Sequence, residues 1–229
     1  MSIFNDISAI QNIIYIFSSI LFISGIKMLG KEDTAVKGNF LSALAMFIAV
    51  SVTIINVVNP MIVIIGIAIG ALIGSLIALK VKMTSIPEMV ALFNGFGGLA
   101  TFFIAWSEFN AIPDNVFQYV LIMLTTYIGG VTFSGSIIAY GKLSEKLKIQ
   151  KDSIITKLFT TLFYLSILFL VYSTAFTGFI EIPVDFYKVL LILTLLGGIG
   201  FVLPIGGGDM PVVISLLNSF SGIAAAFAG

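Results

Sequence analysis

The chain alternates long apolar runs with short polar breaks. Runs of about 20 apolar residues, the length that crosses a hydrocarbon core roughly 30 Å thick, occupy 10–29, 40–58, 61–79, 87–106, 117–140, 158–176, 187–204 and 210–229. The first run begins after Asp6 with no basic stretch before it, and it is too long for the apolar part of a cleaved signal sequence, so it counts as a span. The pattern predicts an all-α integral membrane protein, a multi-pass bundle of about eight transmembrane helices, with 1–229 as one transmembrane domain.

Two of these runs open on the same short motif. Pro87, Asn94, Phe96, Gly98 and Ala100 recur at identical spacing as Pro211, Asn218, Phe220, Gly222 and Ala224. Proline is tolerated in a first helical turn, where its missing N–H had no partner anyway. Each motif is therefore expected to be a proline-opened helix that carries an amide two turns in, roughly 10 Å along its axis. An amide in hydrocarbon without partners is costly. Two at matching depth predict a polar, hydrated centre between the fourth and eighth spans.

Composition sharpens the class. The sequence is 59% hydrophobic and 10% charged, with mean hydropathy +1.17, against roughly 25% charged residues in a soluble domain. There is no cysteine and no histidine, which removes thiolate and imidazole ligands and the side chain that titrates nearest neutral pH, so no metal site is expected. Net charge is zero and no basic stretch points to nucleic acid.

Lysines give an orientation. Lys27, Lys31 and Lys37 flank the first break, Lys80 and Lys82 the third, and Lys142, Lys146, Lys148, Lys151 and Lys157 the fifth. The second break has no charge; the fourth has Glu108 and Asp114, and the sixth Glu181 and Asp185, with Lys188 at its edge. By the positive-inside rule the odd loops are cytoplasmic and the N-terminus is outside. The fourth and eighth spans then run the same way, so the repeat is parallel. The eighth run ends at Gly229 in an Ala/Gly stretch without a charged or aromatic anchor, and a further helix is expected beyond it.

Every Lys, Asp and Glu falls in a loop or within about a turn of a span end, so a relay built on a mid-membrane carboxylate is disfavoured. The polar groups at depth are Asn94, Thr101, Thr125, Thr126, Thr132, Ser134, Ser136, Ser215, Asn218, Ser219 and Ser221. The individual hydroxyls read as packing residues that let helices approach closely, as do Gly97, Gly98 and Gly222. At the mouths, Ser85 and Glu88 fit a capping box. Gly206-Gly207-Gly208-Asp209 gives a flexible segment with an acid near the helix start, where the macrodipole favours negative charge. As caps or as functional groups, Glu88 and Asp209 weigh equally on these grounds, and the glycines match no phosphate-binding fingerprint.

Four segments in this order, TAVKGN at 34–39, MTSIPEMVALFNGFGGLA at 83–100, GSIIAYGKL at 135–143 and GGGDMPVVISLLNSFSG at 206–222, resemble the membrane part of the beta subunit of proton-translocating NAD(P) transhydrogenase. The likeness runs through essentially the whole chain. It implies a cell (inner or plasma) membrane domain that conducts protons and couples that flow to hydride transfer between NAD(H) and NADP(H). Those cofactors would be bound by domains not in this chain, NADP on a C-terminal domain after a ninth helix and NAD on an alpha-type partner subunit, in a homodimeric complex. No catalysis is expected of this chain alone. Asn94 stands where some members carry a histidine of the proton path, and Asn218 matches a membrane asparagine implicated in it. Since an amide does not ionise, the resemblance implies transfer through water held by Asn94, Asn218, Ser219 and Ser221. Asp209 matches an acid in the loop that faces the nucleotide domain, and Glu88 holds a comparable mouth position. Two other classes fit the bare pattern: a small-solute secondary transporter, in which internal repeats are common, and a truncated non-functional remnant.

Overall fold

Glycine and hydroxyl side chains mark where the helices of this chain meet. The computed structural model describes residues 2–55, 57–111, 115–149, 153–176 and 184–228, with side chains from residue 9 onward except at 176. Asp114, Lys151, Glu181 and Gly229, which enter the charge pattern and the eighth run above, lie outside the described residues. The elements are α1 (Ser2–Leu29), α2 (Glu32–Ile55), α3 (Pro60–Lys80), α4 (Ile86–Asn110), α5 (Val116–Leu143), α6 (Ile154–Phe176), α7 (Val184–Val202) and α8 (Met210–Ala228). All 8 are long and apolar enough to cross a membrane, and no strand occurs among the described residues. The chain is an all-α integral membrane protein whose helices form two compact units, Met1–Lys80 and Val81–Gly229.

In the first unit, α1 and α2 form an antiparallel hairpin about a turn at Gly30 and Lys31. The buried positions are Gln11, Ser18 and Gly25 on α1, and Gly38, Ala45 and Val52 on α2. Both sets recur every seventh residue, the repeat of a left-handed supercoiled seam. A Cβ on Gly38 would lie 2.7 Å from the Gly25 carbonyl oxygen, so at this level the two backbones touch. Tyr15 and Thr53 join their hydroxyls at 3.0 Å further along. Helix α3 buries no residue within this unit.

The second unit is arranged around α5, which packs on α4, α6, α7 and α8. Among its buried residues, Thr125, Thr126, Gly129, Gly130, Thr132, Ser134, Gly135 and Ser136 outnumber the apolar Ile122, Met123, Val131 and Ala139. Thr125, Gly129, Thr132 and Ser136 fall on one stripe, the last three of them against α4. Gly98 and Gly129 are reciprocal neighbours: a Cβ on either would sit 2.9 Å from the other's carbonyl oxygen. Thr126, Gly130 and Ser134 form a second stripe toward α7, where a Cβ on Gly198 would meet the Val131 carbonyl oxygen. Lipid tails compete for apolar surface as well as any leucine does, so helices in a membrane associate through such close packing and through interhelical hydrogen bonds.

Three local expectations are corrected. The TAVKGN segment is not a loop: Thr34–Asn39 belongs to α2, which begins at Glu32 instead of 40. Glu32 and Asp33 suit the positive end of the helix, and Thr34 Oγ1 donates to the Met28 carbonyl at 2.7 Å to close the turn. Helix α7 stops at Val202, short of the expected 204, because Pro204 restricts the residue before it. The capping box at Ser85 and Glu88 does not form. Ser85 sits at φ −98°, ψ 6° with no side-chain cap. Its N–H, which Glu88 would have to reach, is already donated to the Lys82 carbonyl at 2.9 Å in the turn Met83–Ser85.

Thermal unfolding in detergent tests the backbone contact. Gly98→Ala or Gly129→Ala is expected to cost about 1–3 kcal/mol by overpacking, whereas Gly97→Ala, with open space at its Cβ position, is expected to leave the midpoint unchanged or raise it.

Candidate functional site

The contact at Gly98 brings the polar residue one turn before it on α4 into register with α5. Asn94 is buried, and its Nδ2 donates to Ser136 Oγ at 3.0 Å. On its other side, Asn94 Oδ1 accepts from Ser221 Oγ of α8 at 3.3 Å. The Ser221 hydroxyl lies equally 3.3 Å from the Leu217 carbonyl of its own helix. One hydroxyl hydrogen is thus shared between two acceptors. Asn94 joins three helices through neutral groups, one bond firm and one weak.

Asn218 is not part of this node. It and Ser219 are exposed on α8, and Ser219 Oγ donates to Ser215 within the helix at 3.1 Å. The expected polar centre holding both asparagines is corrected accordingly: Asn94 meets Ser221, one turn beyond Asn218. The reason lies in the faces. Helix α4 buries Ala91, Asn94, Gly95 and Gly98, while α8 buries Met210, Val213, Ile214 and Leu217. The buried stripe of α8 is displaced by a residue relative to the shared motif, and one residue is about 100° of helix rotation. Identical spacing in sequence therefore puts the two amides on different faces. The expected close-packing glycines divide similarly. Gly98 lies against Gly129, but Gly97 and Gly222 have nothing within 4 Å of a Cβ position.

At the mouth, Glu88 is half-buried in the first turn of α4. Asp209 is exposed at the end of the turn Gly207–Asp209, its N–H donating to the Gly206 carbonyl at 3.2 Å. Sequence reasoning counted Lys142 as a loop charge and missed its role. Lys142 Nζ donates to the carbonyl oxygens of Val202, Leu203 and Ile205, at and just past the end of α7, where final carbonyls run out of i+4 donors; that of Val202 also accepts from Ile205 N–H at 3.1 Å. A cation at a helix C-terminus is also favoured by the macrodipole. The lysine therefore ties the end of α5 to the segment leading into α8, beside a cavity of about 180 Å³ lined by Lys142, Leu147, Leu203 and Gly207.

Other hydroxyls follow two habits. Thr101, Ser134 and Thr194 donate to carbonyls of their own helices, a packing role. Thr126 with Tyr187 at 2.7 Å, and Tyr127 with Ser166 at 3.0 Å, bond between helices. Thr125 and Thr132 are buried with no hydrogen-bond partner among the described residues.

These features define a multi-pass helical membrane domain with a hydrogen-bonded polar node across its helix interfaces and a glycine-jointed turn at one mouth. The family model described as NAD(P) transhydrogenase beta subunit matches residues 11–229. Two curated relatives named NAD(P) transhydrogenase subunit beta, both from Rhodospirillum rubrum and one from a designated strain, are 35% identical to it, the match covering 94% of this chain and 48% of theirs. The chain belongs to the NAD(P) transhydrogenase beta subunit family, and it spans about half the length of the curated relatives it matches.

Ser136→Ala removes the acceptor of a buried amide N–H and is expected to cost about 1–3 kcal/mol, read as a lower thermal midpoint. Ser219→Ala on the exposed face is expected to stay within about 0.5 kcal/mol of the parent. Equal midpoints for the two variants would mean that Ser136 does not hold the amide.

Proposed function

We propose that this chain is the proton-translocating membrane part of an NAD(P) transhydrogenase, with the route passing through the Asn94 node. The carrying observation is the hydrogen-bonded chain Ser221, Asn94, Ser136, which links α8, α4 and α5 in a family whose relatives are transhydrogenase subunits.

The chemistry follows from what these groups can and cannot do. None of them ionises near neutral pH, and a bare charge in hydrocarbon costs several kcal/mol, so a proton would cross by hopping through ordered water. Serine hydroxyls accept and donate in turn, and the amide orients water on either side without holding the proton. The weak Ser221 bond is the point at which such a row opens and closes. Turning the hydroxyl wholly to Leu217 frees Asn94 Oδ1 for water; turning it back blocks that position. Asn218 and Ser219, on the outward face of α8, join the route where water or another helix reaches that face.

Hydride transfer between NAD(H) and NADP(H) belongs in this reading to an alpha-type NAD-binding subunit and an NADP-binding domain. Among the described residues there is no strand, hence no strand, glycine turn and helix unit of the kind that holds a dinucleotide. The exposed Asp209 turn and half-buried Glu88 are the groups that would sense those domains. In a homodimeric complex with the lysine-rich loops in the cytoplasm, the nucleotide domains face this mouth.

The test uses the assembled complex in proteoliposomes. Asn94→Leu, with assembly retained, is expected to lower proton-coupled turnover more than tenfold; coupling within twofold of the parent would remove the node from the route. Asn218→Leu in parallel shows whether the outward face of α8 contributes.

A further inference from the structure

The Asn94 node ends at Ser136, yet the buried polar stripe on α5 continues. One turn on stands Thr132, fully buried against Gly98, and seven residues further Thr125, 2% exposed. Both share the face of Ser136, and neither hydroxyl has a hydrogen-bond partner among the described residues. This is unusual for threonine in a helix. Its default is to donate to a carbonyl a turn back, as Thr101 and Thr194 do here. A buried hydroxyl left unpaired carries a desolvation penalty, and the common remedy is an internal water.

The stripe leads to a specific end. Beside Thr125, Thr126 joins its hydroxyl to that of Tyr187 on α7 at 2.7 Å, and Tyr187 is 1% exposed. The Tyr187 ring is stacked on Phe109 of α4, centroids 3.8 Å apart and planes 9° from parallel, with Tyr119 against Phe109 edge-on. Ala105, Phe109, Ile122, Met123 and Leu190 close the apolar wall around it. The polar positions thus run from Asn94 toward the C-terminal end of α4, and the last of them, Thr126 on the stripe facing α7, lies behind two stacked rings.

We propose that the proton route continues from Asn94 and Ser136 along the Thr132 and Thr125 hydroxyls, through water that enters only when the Gly98–Gly129 contact between them parts, to the Thr126–Tyr187 hydroxyl pair on the neighbouring stripe, and that the Phe109–Tyr187 ring stack is the gate at its far end. This rests on the reading of the chain as a proton path. Along it, each hydroxyl accepts a proton from the water on one side as it gives its own to the water on the other, so no group is left charged. The phenol and Thr126 form the last relay before the gate. Rotation of the Phe109 ring off Tyr187 exposes the phenol to the bulk phase.

Thr132→Val keeps the shape of the side chain and removes an unpaired group, so folding is not at risk. In proteoliposomes of the assembled complex, Thr132→Val and Thr125→Val are each expected to lower coupled proton translocation at least tenfold, measured with an internal pH dye. Tyr187→Phe, which keeps the ring stack, is expected to do the same. Phe109→Ala is expected to raise passive proton leak severalfold when nucleotides are absent. The extension is overturned if both threonine variants translocate within twofold of the parent, and the gate is overturned if the leak of Phe109→Ala is unchanged. Asn94→Leu separates the two levels. If it stops translocation while the threonine variants do not, only the extension fails; if it too is without effect, the proton-path reading itself fails.

Discussion

The contact of two backbones at Gly98 and Gly129 sets the geometry of the second unit. With no Cβ between them, α4 and α5 approach until carbonyl oxygens face the neighbouring chain. That distance alone lets short side chains span the gap on either side: an amide to a serine at Asn94 and Ser136, and Thr132 against Gly98. Larger residues at the crossing would have driven the helices apart and left these groups in hydrocarbon. The same economy recurs between α5 and α7, where Gly198 meets the Val131 carbonyl. The large apolar side chains are displaced outward, many of them well exposed on the surface that lipid covers.

The first unit shows the same physics with a different polar outcome. Its seam repeats every seventh residue through small or polar side chains, and the exposed Tyr15–Thr53 pair joins its two helices. Close approach is found in both units, whereas buried hydrogen bonds between side chains of different helices are described in the second. There, α5 presents two stripes to two partners, one toward α4 carrying the unpaired threonines and one toward α7 carrying the tyrosine contact.

Much of this architecture is legible in the sequence because hydrocarbon thickness fixes span length. The eight runs become the eight helices, with differences at their ends. Those differences come from polar turns, such as Glu32–Asn39, that remain helical beyond the apolar stretch. The site was less legible. The repeated motif picked out two amides, of which Asn94 is buried and Asn218 exposed, since a motif fixes spacing and not the face a helix turns to its neighbours. Ser136 carries no local signal to distinguish it from the other hydroxyls on α5; only the register set by Gly98 pairs it with the amide. Lys142 is the plainest case. A lysine near a span end reads as an orientation charge, and its role depends on where α7 happens to terminate, sixty residues later.

The anchorage of Lys142 has a mechanical consequence. By holding the carbonyls of Val202, Leu203 and Ile205, it fixes the upstream side of the connection to α8, and the compliance that remains is concentrated in the glycines at 206–208, which have little or nothing packed against them. Were α8 to tilt, its first turn would be the pivot. Ser221 stands twelve residues beyond Asp209, about 18 Å along the axis at the α-helical rise. Over that arm a tilt of about 2° displaces the hydroxyl by roughly 0.6 Å, enough to decide between two acceptors that lie at equal distance. A tilt of that size would be the difference between one oxygen holding the hydrogen and the other.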